Sequence, residues 1–314
     1  MELDEGNGSA YCSGSMSTQS RSIQQKRKGF SLVAGDMTVL KAVSEFRFLL
    51  REHLSALTGR SAKRLHRRLL ALVKNGYLLV TRLPQQKHIY SLGRAGITAL
   101  VTEGAIKDGA DVRRIRTSEL KELFLKHEMM IVDQHVTLRL AERVGDLRLI
   151  RWEEGRGLFD SVIVTDHRGF IKLPVRPDAF FTLEDTRRDE GKNRFHFFLE
   201  IDRSTMPHTA FREKLRAYRH YREQGLHAKK LGIQSYRVLT VTLTGTRAHN
   251  LRDLAGAMLP EGARKHFLFT AMDNYSLRDP NSIFGDIYLS ARDRGQDVTY
   301  PLIPEPESSL KRIA

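Results

Sequence analysis

The chain has 314 residues, 40% of them hydrophobic and 28% charged, which is ordinary for a globular protein with more than one core. Its 52 Lys and Arg outnumber its 37 Asp and Glu, and the net +15 favours polyanionic partners. No stretch approaches the roughly 20 apolar residues of a spanning helix, and the opening residues lack a signal-peptide core, so a soluble cytoplasmic nucleic-acid binder is expected and a membrane partner is not.

Residues 1–36 are rich in Ser, Gly, Gln and charge without apolar periodicity, which predicts a disordered tail carrying a small basic run at Arg21, Lys26, Arg27 and Lys28. Cys12, the single cysteine, falls there and excludes an internal disulfide. From Met37, Leu40, Val43, Phe46 and Phe48 predict a helix, followed by a short one around 53–57. Thr58-Gly59 breaks the chain. A third helix runs from Ser61 to Lys74 and stops at Asn75-Gly76. Two β-runs, 77–82 and 88–92, flank Pro84-Gln85-Gln86, and a helix near 95–103 closes the unit. Three helices and a hairpin within 37–106 are the order of a winged helix-turn-helix. Beyond a polar linker at 107–117, a long helix is predicted over 118–144, then β-runs at 158–165, 170–173, 179–183 and 194–201. A helix over 208–224, a strand at 236–243, a helix at 247–258 and a strand at 266–270 complete a mixed α/β domain over 118–291. Residues 292–314, with three prolines, read as a loop-like tail, and the fold class is α+β.

The third helix concentrates the charge. Arg60, Lys63, Arg64, Arg67, Arg68 and Lys74 occur there with no acid, while Leu65, Leu69, Leu72 and Val73 recur at helical spacing and predict one buried stripe. From Thr38 to Ala105 there are 12 Lys and Arg against 3 Asp and Glu, so this segment holds +9 of the whole excess. A helix after a tight turn can enter the major groove of double-stranded DNA, with Arg reaching guanine edges and Lys or Arg gripping phosphates. Arg82 and Lys87 on the hairpin would reach a neighbouring phosphate run. The competing reading is a solvated face of a protein-interaction winged helix; an ordinary solvated face mixes both signs, and this one does not.

The second domain offers acids. Asp178 starts one predicted strand and Glu200 ends the next, so an antiparallel pairing would bring them together at one sheet edge. Asp202, two residues on, shares the Glu200 face, and the three carboxylates form a candidate Mg²⁺ site. Glu128 falls on the apolar stripe of the long helix (Phe124, Ile131, His135, Leu138), and Lys214 on the following helix can support phosphoryl transfer. The plain alternative is structural, with Glu200 and Asp202 paired to Arg203 and Arg212. A covalent tyrosine at Tyr218 or Tyr221 is a further reading.

The order of the basic helix, Lys126-His127-Glu128, Arg176-Pro177-Asp178-Ala179-Phe180, Glu200-Ile201-Asp202-Arg203-Ser204-Thr205 and Lys214-Leu215-Arg216-Ala217-Tyr218 resembles the replication-relaxation family over about residues 38–290. That resemblance implies a bacterial plasmid or mobile-element protein acting in replication, relaxation or mobilisation, with plasmid replication or transfer proteins as partners and a homodimer as a further expectation. The second domain is also similar to the PD-(D/E)xK, or restriction-endonuclease-like, fold. In that resemblance Asp178, Glu200 and Glu128 take the carboxylate roles and the reaction is Mg²⁺-dependent nicking of DNA. The departure is Asp202, which stands at the lysine position; Lys214 is the candidate replacement. A non-catalytic replication or transcription regulator, using the domain as a nuclease-derived scaffold, is the alternative.

Overall fold

Apolar side chains at helical spacing bury one side of each of the first three helices, α1 (Ala34–Phe46), α2 (Arg51–Thr58) and α3 (Ala62–Lys74). The computed structural model describes residues 30–82, 88–107, 122–166 and 169–306. Most of the expected tail, nearly all of the expected linker and Lys87 lie outside the described residues. All elements below belong to one unit that begins at Val33. The tail expected over 1–36 ends earlier than predicted, because Ala34 to Asp36 are already helical. The Asp36 carboxylate accepts the Val33 N–H at 3.0 Å, which satisfies one of the donors a helix start leaves open.

Gly59 (φ 66°) joins α2 to α3 in a left-handed conformation that residues with a Cβ adopt at a cost. Leu65, Leu69 and Leu72 are fully buried, as their spacing predicts, and Val73 is half-buried. A three-stranded sheet follows in the order β1 (Leu49–Leu50), β3 (His88–Leu92), β2 (Leu78–Arg82), with β2 and β3 antiparallel. Helix α4 (Arg94–Thr102) closes against it; a Cβ on Gly96 would come within 2.2 Å of the Tyr77 carbonyl oxygen.

Helix α5 (Glu122–Ala141) opens the larger part. Its central sheet runs β12 (Thr299–Tyr300), β11 (Tyr288–Ser290), β10 (Phe267–Ala271), β9 (Arg237–Thr242), β8 (Arg194–Asp202), β7 (Ala179–Asp185), β4 (Leu147–Glu154). Strands β8, β9 and β10 are parallel and the outer pairings are antiparallel, so the sheet is mixed. β5 (Asp160–Asp166) and β6 (Gly169–Val175) form a separate hairpin rather than joining this sheet. Helices α6 (His208–Glu223) and α8 (Gly245–Met258), with that hairpin, bury Phe180, Phe198 and Val238 on one face. Helix α5 and the segments around Ile283 and Leu302 bury Phe181, Phe197, Leu199 and Leu239 on the other. Two short helices, α7 (Leu226–Leu231) and α9 (Glu261–Arg264), fill connections.

Two departures from the sequence reading have clear causes. Strand β4 was not anticipated, because a bulge between Leu149 and Arg151 breaks its alternation and leaves Ile150 exposed. The expected loop from 292 contributes β12 and buries Leu302 and Ile303 completely or nearly so, which the prolines disguised.

Candidate functional site

Two charged regions carry the residues singled out by the sequence. On α3, Lys63, Arg64, His66 and Arg67 are exposed. Among the described residues no carboxylate pairs with Lys63, Arg64 or Arg67. Arg68 and Arg60 differ: Arg68 binds the buried Asp36 through two nitrogens, and Arg60 lies 3.9 Å from the same carboxylate. Asp36 holds Arg68 above its ordinary pKa, with the hydrogen bond as the main cause. Gly35 leaves the space that the Arg60 guanidinium fills. Arg82 is exposed at the end of β2, opposite His88.

The second region lies where β7 begins and β8 ends. Ala179 pairs with Leu199, so one further step of the register sets Asp178 opposite Glu200. Asp178 brackets its neighbour: its N–H donates to the Leu199 carbonyl at 3.0 Å, and its Oδ2 accepts the Ile201 N–H at 2.7 Å. Oδ1 meets His127 Nε2 of α5 at 3.0 Å. Glu200 is buried, with one oxygen on the Lys214 ammonium and the other accepting the Tyr218 hydroxyl at 2.5 Å. Asp202 is buried too, accepting from Ser204 N–H at 2.5 Å and from Arg247 at 2.8 Å. Lys214 and Arg247 are thus cations that these acids meet, one on Glu200 and one on Asp202.

The electrostatics follow from burial and pairing. Burial pushes Glu200 up from the usual carboxylate range, against the pull of Lys214. Burial works against the charge on Lys214, but the carboxylates of Glu200, Asp178 and Asp202 outweigh it and hold the ammonium above its ordinary value. His127 behaves alike: burial lowers it, and the Asp178 carboxylate more than restores it. Burial, then Glu200, raises Tyr218 far above a normal phenol, and burial raises Tyr221, whose hydroxyl reaches Asp160 at 3.2 Å. Neither phenol is an exposed or readily ionised nucleophile, which disfavours the covalent-tyrosine reading.

Glu128 stands apart from this set. It lies 3.7 Å from Arg47 at the end of α1 and is pushed up by burial and by Glu154. With His127, Asp178 and Trp152 it lines a cleft of about 1170 Å³ that reaches from α1 to the sheet edge. Across the same seam the buried His53 of α2 meets Asp133 of α5 at 2.5 Å. Among the described residues, no three His, Cys, Asp or Glu side chains gather as metal ligands.

The donor set explains why. All six carboxylate oxygens of Asp178, Glu200 and Asp202 already accept from protein donors, and Lys214 provides the positive charge among them. The arrangement in hand does not fit a hard cation, which takes carboxylate oxygens as direct ligands. His127 and Tyr218 were the contacts that sequence reasoning undervalued. His127 could have been found from its place between Phe124 and Ile131 at helical spacing.

The cations of α3 and the cluster of Asp178, Glu200, Asp202, Lys214 and Tyr218 fall within residues 40–235, the segment matched by a family model described as replication-relaxation, while Asp36 and Arg247 lie just outside it. The chain belongs to that family. Membership in the replication-relaxation family suggests a role in replication or relaxation. No curated protein and no solved structure matches the chain. Among the described residues, no helix is long and apolar enough to cross a membrane.

Proposed function

We propose that this replication-relaxation protein binds double-stranded DNA through a winged helix formed by α1 to α4 and the β2–β3 hairpin, with α3 as the recognition helix. The observation that carries the reading is the open row of Lys63, Arg64 and Arg67, on a helix where Asp36 takes up Arg68 and attracts Arg60. Cations left without internal partners at a convex helix are suited to phosphates and base edges. In this reading the larger part is a nuclease-like, PD-(D/E)xK-related scaffold whose carboxylates are closed by Lys214, His127 and Arg247, and it presents the bound DNA to replication or transfer proteins. Cytoplasmic residence and a homodimer complete the proposal.

A second reading is nicking. It is supported by the position of Asp178 opposite Glu200 with Lys214 beside them. Mg²⁺ would then be held by Asp178 and Glu200, and would supply charge stabilisation for phosphodiester hydrolysis. His127 and Lys214 would have to release those oxygens first.

One experiment separates the parts. Duplex binding by the full chain should weaken steeply with salt, and in Lys63→Ala/Arg64→Ala/Arg67→Ala the slope of log affinity on log salt should fall by about 3. Supercoiled plasmid incubated with Mg²⁺ should be bound and remain uncut. Unchanged salt dependence in the triple variant sinks the groove-binding helix; nicking lost in Glu200→Gln replaces the scaffold with the enzyme.

A further inference from the structure

The other end of the central sheet holds a second charged cluster. Where β8, β9 and β10 begin and β11 ends, a pocket of about 530 Å³ opens, within the range of about 300–1,000 Å³ typical of small-molecule sites. Arg194, Arg237, Lys265 and Arg292 line it, with Tyr236 and Tyr300 among its walls. Among the described residues that line it, none is acidic. It lies six residues along β8 from Glu200, about 20 Å at strand rise, so the carboxylate cluster does not neutralise it.

Some of these cations have partners. Arg194 reaches Glu184 at 3.4 Å, and Arg292 reaches Asp293 at 3.5 Å and the Tyr300 hydroxyl at 2.6 Å. The other two, Arg237 and Lys265, have no carboxylate partner among the described residues, and neither has Arg222, which does not line the pocket but packs on Tyr236 in its wall. Arg237 donates to the Leu302 carbonyl at 2.9 Å, Arg222 donates to the Tyr236 carbonyl and lies 4.3 Å over the Tyr236 ring, and Lys265 is exposed. Between them sits half-buried His266, whose pKa is pushed down to about 4 by burial and then by Arg222, Lys265 and Arg237. The contrast with Asp185 is instructive, since Arg187 and Arg188 both clasp that buried carboxylate on the neighbouring strand. There the gathered charge is balanced within the fold. Here Arg237 and the neighbouring Arg222 are half-buried with no described carboxylate, which is unfavourable unless an anion completes them.

We infer that this pocket binds a nucleoside phosphate, with the phosphate taken by Arg237, Lys265 and Arg292 and the base or sugar laid against Tyr300 and Phe195. Arginine and lysine supply the donors that phosphate oxygens need, and the half-buried rings of Tyr300 and Phe195, each with an arginine over it, offer a surface for a base. The ligand is a free nucleotide or the phosphorylated end of a strand, which share this chemistry. The inference does not rest on the DNA-binding reading of α3.

The test is titration calorimetry on the full chain with ATP, inorganic pyrophosphate, adenosine and sulfate, with the His266 imidazole followed by NMR. ATP and pyrophosphate should bind, adenosine and sulfate should not, and the anion should raise the His266 pKa. Lys265→Gln/Arg292→Gln, two exposed positions whose loss leaves the fold intact, should weaken ATP binding about tenfold or more, or about 1.4 kcal/mol. Duplex affinity through α3 should be unchanged. A 5′-phosphorylated oligonucleotide that outcompetes both ATP and its unphosphorylated twin, in a pocket-dependent way, identifies a strand end; ATP binding the tighter identifies a free nucleotide. The inference is overturned by absent heat and an unmoved His266 with both ATP and pyrophosphate, by pyrophosphate binding no better than sulfate, or by equal binding in the double variant.

Discussion

The basic helix and the carboxylate cluster are opposite kinds of charged region. On α3 the charges of Lys63, Arg64 and Arg67 point outward with no described partner, whereas every carboxylate oxygen of Asp178, Glu200 and Asp202 meets a donor from the same chain. Charge balanced within a fold shapes that fold; charge left unbalanced at a surface is available to something else. Position in the sequence does not tell the two apart, since Arg67 and Arg68 are neighbours and fall on different sides of the distinction. Their partners do.

The largest effect expected from this comparison is at Lys214. Lys214→Met leaves Glu200 buried without its cation, and breaking such a pair costs about 3 kcal/mol, the low end of the range because the Lys214 side chain is 30% exposed. A urea midpoint measures it, and Lys214→Met/Glu200→Gln should recover most of the loss. A loss under about 0.5 kcal/mol, the size of an ordinary surface change, would break the contrast by showing that the cluster is not held together by its lysine.

Arg67 and Arg68 sharpen it. Arg68→Ala leaves the buried Asp36 with the Val33 N–H and, as its described cation, only Arg60 at 3.9 Å, and should destabilise the chain by about 2 kcal/mol. Arg67→Ala should leave stability within about 0.5 kcal/mol and weaken duplex binding instead. Reversed outcomes would make the exposed face structural and the buried pair functional.

Much of this was legible in the sequence wherever one strand or helix carries the information. Leu65, Leu69 and Leu72 declare the buried side of α3 by spacing alone, and the placement of Asp178 and Glu200 at facing strand ends predicts their juxtaposition. What escaped depends on contacts distant along the chain. Asp36 looked like part of a tail, yet it takes up an arginine 32 residues away. Asp202 looked like a ligand, and its arginine is 45 residues on, at the start of a separate helix. Strand β4 was hidden by a bulge, which defeats a period-2 search by design of the backbone rather than by weakness of the pattern. The basic pocket draws Arg237, Lys265 and Arg292 from separate segments, and no local window holds them together.

The smallest expected effect concerns His127. Its pKa is raised in the fold, so the imidazolium's contact with Asp178 stabilises the chain fully below the unfolded histidine value of about 6.5 and is lost as pH rises through the higher folded value. The side chain is 27% exposed and Lys214 opposes its charge, which limits the effect to about 1 kcal/mol or less. Wild type and His127→Gln should therefore differ most in urea midpoint near pH 5.5 and converge toward pH 8.5, values chosen about one unit or more either side of that ordinary range. A difference that grows with pH would reverse the sign and mean that neutral His127 is the form Asp178 favours. The carboxylate cluster would then be one positive charge short of balance, which is the condition under which a divalent cation would gain a place there.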